Sequence, residues 1–96
     1  MESLINLGIF YRSSKNFEKA EEYHLHAYAI CQEMYDDTHS ETVKLLEHLG
    51  FLYRKKGDFK SAKEYYDKIL SIYRKQYDEG HPEIIALEKI LSKLNG

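Results

Sequence analysis

One cysteine, one proline, one valine and no tryptophan stand in this chain of 96 residues. A lone cysteine, Cys31, cannot close an internal disulfide, which fits a reducing compartment and a cytoplasmic location. The near-absence of valine beside eleven leucines and nine tyrosines is the composition of a helix-former and hardly that of a sheet. With so little proline, five glycines and no Ser/Gly-rich tract, the chain does not read as a linker or a disordered segment. No apolar run approaches the roughly 20 residues that cross a bilayer, so no membrane is expected as a partner. The opening MESLINLGIF lacks the basic start and cleavage site of a signal peptide. Charge of one sign is missing too. Fourteen Lys+Arg against sixteen Asp+Glu leave a net charge of −2, too little basic excess for nucleic acid. Five histidines are present, but His24 and His26 stand two apart and none has another three or four residues away, so no metal site is expected. Without a Gly-rich phosphate loop or a nucleophile elbow, neither a cofactor nor an enzyme is expected.

What is present is a repeat. Sliding the chain against itself by 42 residues gives 17 identities in 54 overlapping positions, with no gap. Leu4, Leu7, Gly8, Tyr11, Phe17 and Ala20 fall on Leu46, Leu49, Gly50, Tyr53, Phe59 and Ala62. Tyr35, Asp36 and His39 fall on Tyr77, Asp78 and His81, and Leu45, Leu49 and Leu52 return as Leu87, Leu91 and Leu94. The length suits one domain over residues 1–96: a first repeat at about 1–39, a second at about 43–81, and a closing helix at about 82–94.

Within each repeat the apolar period is helical. Leu4, Leu7, Gly8 and Tyr11 follow i, i+3, i+4, i+7 spacing, as do Leu46, Leu49, Gly50 and Tyr53. Asn16 and Asp58 predict N-caps for second helices running to about Tyr35 and Tyr77. Gly57 suits a left-handed helix end, and Pro82 a first helical turn. His39 and His81, beside the acidic turns Asp36-Asp37-Thr38 and Asp78-Glu79-Gly80, are read as capping residues. Gly8 and Gly50 are expected to face Ala20 and Ala62 across each antiparallel hairpin. Tyr11, Tyr23, Tyr53 and Tyr65 are read as core, Tyr28 and Tyr66 as packing between hairpins, and Tyr73 as exposed. Cys31 is read as a packed thiol.

Leu-Gly-x-x-Tyr followed by an alanine on a return helix resembles the tetratricopeptide repeat (TPR). The 42-residue spacing and the Gly80-His81-Pro82-Glu83 junction look like the extended type in kinesin light chains. His24 departs from the aromatic usual at its place, and Lys15 from the glycine. The resemblance implies an all-α fold, two antiparallel helix hairpins plus a C-terminal capping helix in a right-handed α-solenoid. It also implies a concave groove that binds a protein or peptide partner. The faces opposite the Leu7/Tyr11 stripe would line that groove: Glu2, Ile5, Asn6, Ile9, Arg12 and Ser13 in the first repeat. In the second they are Lys44, Glu47, His48, Phe51, Arg54 and Lys55. Asn6, Lys44 and His48 occupy the slots where peptide-binding relatives carry an amide and two basic residues. Arg12, Arg54, Lys55 and Lys56 gather near helix ends, where they offset the macrodipole or form a rim attractive to acidic ligands.

Two function classes follow. One is a module that binds an extended, acidic peptide in the groove through Asn6, Ile9, Arg12, Lys44, His48, Phe51, Arg54 and Lys55. The other is a structural subunit that docks through the ends of the stack, in a larger assembly or a homodimer. Leu4, Ile5 and Ile9 at one end, and Ile85 and Ile90 at the other, are expected to leave apolar surface uncovered.

Overall fold

The computed structural model describes residues 2–36 and 39–95; Asp37 and Thr38 of the first acidic turn lie outside the described residues. Five helices follow one another: α1 (Glu2–Ser13), α2 (Phe17–Met34), α3 (Ser40–Lys56), α4 (Phe59–Gln76) and α5 (Pro82–Asn95). Each packs on its neighbour in sequence, α1 on α2, α2 on α3, α3 on α4 and α4 on α5. The result is a slab of 36 × 34 × 17 Å, an all-α stack less than two helix diameters thick.

The helix breaks are built alike in both repeats. After α1 the Asn16 amide donates to the Tyr11 carbonyl (2.8 Å) and the Lys15 amide to that of Arg12 (3.0 Å). After α3 the Asp58 amide donates to Tyr53 (2.9 Å) and the Gly57 amide to Arg54 (3.2 Å), the same paired closure of a helix end. It requires a positive φ, which Gly57 supplies at 92° and Lys15 must supply at 64°. The residue after it starts the next helix. Asn16 Oδ1 accepts from the Lys19 amide (3.4 Å) and Asp58 Oδ1 from that of Ser61 (3.2 Å). His39 and His81 cap α3 and α5, each Nδ1 accepting from the amide two residues on (3.1 and 3.2 Å). Each imidazole also stacks on the tyrosine ending the preceding helix, Tyr35 at 4.0 Å and Tyr77 at 3.9 Å.

The larger core lies between α3, α4 and α5, around Leu46, Leu49, Ile69, Ile72, Ile84 and Leu87. A smaller one joins Ile5, Ala27, Cys31 and Leu45 between α1, α2 and α3. Ile5 is therefore buried and does not line a groove, because the first helix turns that side toward Leu45 of α3. Leu7, expected in the core, is 39% exposed, and Phe10 is 60% exposed, whereas their counterparts Leu49 and Leu52 in the second repeat are fully buried. The uncovered apolar surface at this end is thus Leu7 and Phe10, whereas Leu4 and Ile9 are half-buried against the smaller core. At the other end Ile85 is exposed and Ile90 half-buried. Tyr73 is buried, contrary to its expected exposure, and its hydroxyl donates to Glu47 (3.1 Å).

The glycines also meet different partners. A Cβ on Gly8 would lie 2.6 Å from the His24 ring and one on Gly50 2.9 Å from the Tyr66 ring, so a return-helix aromatic is the nearest group over each glycine. Tyr66 accordingly packs inside its own hairpin. Tyr28 does bridge the hairpins, edge-on to Tyr65 at 6.5 Å.

Candidate functional site

Three helices, α1, α3 and α5, share one side of the slab, and a cleft of about 400 Å³ opens across them. Arg12 borders it from α1, and Glu47, His48 and Phe51 come from α3. Tyr66 of α4 lies at its base, while Glu83, Ala86, Leu87 and Ile90 come from α5. The helical period explains the set: His48 and Phe51 are three apart on α3, as are Glu83, Ala86 and Leu87, Ile90 on α5.

Phe51 is the organising apolar group. The Arg12 guanidinium sits over its ring at 4.5 Å and the Lys55 ammonium at 5.3 Å, so two cations share one aromatic ring at the cleft edge. Burial lowers the Arg12 pKa, partly opposed by Tyr66. Burial raises that of Tyr66, against the pull of the nearby Arg54.

Beneath the rim, His48 stacks on His24 with ring centres 5.4 Å apart and planes 6° from parallel. His24 is fully buried and neither ring nitrogen has a hydrogen-bond partner. Burial, then the charges of His48 and Arg12, push its pKa down to about 4. Burial, then Arg12 and Lys44, lower His48 as well. Burial favours the neutral form of both rings, so the cationic character of the cleft edge comes from Arg12 and Lys55 and not from the imidazoles. Spacing along the chain could not reveal this pair, because it forms between helices 24 residues apart. Among the described residues no three His, Cys, Asp or Glu side chains gather as metal ligands. Cys31 is buried, and burial raises its pKa away from the reactive thiolate.

Of the residues chosen from sequence, Arg12, His48 and Phe51 line the cleft. Lys55 shares a neighbouring hollow with Arg12, Ser13 and Phe51, and Arg54 is half-buried nearby. Lys44 stands off, 3.9 Å from Glu41 and in a separate hollow with Val43, Tyr73 and Tyr77. Asn6 is exposed on α1 and Ile9 packs on the smaller core; neither lines the cleft. The side chain of Glu2 lies outside the described residues. Sequence reasoning missed the α5 wall. The 42-residue register held the signal, since Ala86 and Ile90 are the counterparts of Lys44 and His48, and Glu83 of Glu41.

A family model of the tetratricopeptide repeat matches residues 1–75. A solved structure of kinesin light chain-type, nearly identical TPR-like repeats from Podosopora anserina superposes with a TM-score of 0.80 at 20% identity. The match covers 97% of this chain and 44% of that one, so the chain spans less than half the length of that structure. No curated protein matches the sequence.

Proposed function

Because the chain belongs to the tetratricopeptide repeat family, whose repeats generally mediate protein–protein interaction, we propose that it is a non-catalytic cytoplasmic module holding an extended peptide in the α1–α3–α5 cleft. The observation that carries this reading is the Phe51 ring with Arg12 and Lys55 over it, an apolar contact ringed by cationic donors. A partner segment with an apolar side chain and adjacent carboxylates fits that chemistry. Fluorescence anisotropy with a labelled acidic peptide carrying one central leucine tests it. Binding is expected to weaken between 0.05 and about 0.5 M salt as screening shortens. Phe51→Ala and Arg12→Glu should each weaken it at least about fivefold. Equal affinity in the parent and in both variants would remove the cleft from consideration.

A second reading rests on Leu7 and Phe10, exposed where their counterparts are buried. Here the open end of the stack docks on a second copy. Sedimentation mass should then rise with concentration, and Leu7→Glu with Phe10→Glu should restore the monomer. A monomer throughout at high micromolar concentration would exclude it.

A further inference from the structure

The cleft has two charged walls of opposite sign. Arg12 stands on the α1 side and Glu83 on the α5 side, with Glu47 on α3 between them in helix order. Between them the floor is apolar, formed by Phe51, Leu87 and Ile90. The cations in ion pairs among the described residues are Lys44, Lys56 and Arg74, and their partners are Glu41, Glu21, Glu79 and Glu88. Arg12 and Glu83 appear in none of these pairs. They line the same cleft without forming an ion pair with each other, and Arg12 presents its charge there over the Phe51 ring.

We propose that the bound segment is bipolar: an apolar anchor residue with carboxylates on its α1 side and a cationic side chain on its α5 side. This rests on the peptide-groove reading and assigns the second half of the ligand, which that reading leaves as acidic. The physical reason is symmetric. A carboxylate beside Arg12 gains a charge-assisted hydrogen bond, while a carboxylate carried on to Glu83 meets a like charge over an apolar floor. A lysine there meets two carboxylates, Glu83 and Glu47, although one Glu47 oxygen already accepts from Tyr73. Charge order also fixes the polarity of the chain in the groove, because reversing the segment sets like against like at both walls.

Three labelled peptides of equal length test the idea. They are Asp-Asp-Ser-Leu-Phe-Ser-Lys-Lys, the same core with Asp-Asp at both ends, and the same core with Lys-Lys at both ends. The bipolar peptide should bind the parent at least about fivefold more tightly than either uniform one. Glu83→Lys should shift the preference to the uniformly acidic peptide, and Arg12→Glu to the uniformly basic one. Circular dichroism of both variants, altered only at the cleft edge, should match the parent. If the uniformly acidic peptide binds the parent as tightly as the bipolar one, or if Glu83→Lys leaves the order unchanged, bipolarity is wrong and the acidic groove stands. If none of the three binds, the groove reading falls and this inference with it.

Discussion

The His24 ring fills the space over Gly8, where a Cβ would meet its Cε1 at 2.6 Å. The ring is not free to move, because it is fully buried and His48 stacks on it at 5.4 Å. Alanine is intrinsically better than glycine inside a helix by about 1 kcal/mol, so Gly8→Ala opposes a propensity gain to a steric loss. The steric loss should win, with a net cost of about 1–3 kcal/mol in urea unfolding. Gly50→Ala, with 2.9 Å to Tyr66, should cost less. A Gly8→Ala protein more stable than its parent would show that the ring moves freely.

Acid should weaken the fold through the same ring. His24 titrates near 4 in the folded chain against 6.5 as its ordinary value, so the unfolded state takes up the proton first as pH falls. This contribution is complete above about pH 6.5, is lost between about 6.5 and 4, and is spent below 4. Its size is on the order of 3 kcal/mol. His48, shifted the same way, adds to the slope. His24→Phe removes two unpartnered buried nitrogens while keeping a planar ring beside His48. Its melting temperature should rise, and its stability should change less between pH 6.5 and 4 than the parent's. An unchanged slope would place the titrating group elsewhere.

Lys15 holds φ at 64° at the helix end where the second repeat uses Gly57. A left-handed residue with a Cβ costs about 1 kcal/mol, and the Lys15 side chain is exposed. Lys15→Gly should therefore stabilise by about 0.5–1 kcal/mol, whereas Gly57→Lys should destabilise by a similar amount. Thermal melts of the two variants should move in opposite directions.

The caps and helix limits were legible because they depend on a few neighbouring residues. Asn16, Asp58, His39 and His81 each bond an amide two or three positions away, and the 42-residue register marks them twice. Contacts between helices were less legible. Ile5 and Leu7 exchanged places because helical periodicity gives the angle between faces but does not say which face a neighbour covers. Tyr73 found Glu47 across 26 residues, a pairing that no local pattern contains. In the cleft, Arg12, His48 and Phe51 followed from the face they share, while the α5 residues required carrying the register into a third element.

Leu7 and Phe10 set a last comparison, because the repeat supplies its own control. Leu49 and Leu52 occupy the same register in the second repeat, and both are completely buried. Removing a fully buried leucine loses its transfer free energy and leaves a cavity, so Leu49→Ala should cost about 2–5 kcal/mol. Leu7→Ala, at a site 39% exposed, leaves a dent open to water and should cost under about 1 kcal/mol in the dilute monomer. Phe10→Ala, at 60% exposure, should cost no more. The two sites should then diverge with concentration. If this end docks on a second copy, the cost of Leu7→Ala should grow as protein is raised from low to high micromolar, by mass action, while that of Leu49→Ala stays fixed. Urea titrations at two protein concentrations read both quantities. A Leu7→Ala cost as large as that of Leu49→Ala at the lower concentration would mean that Leu7 is covered within the single chain.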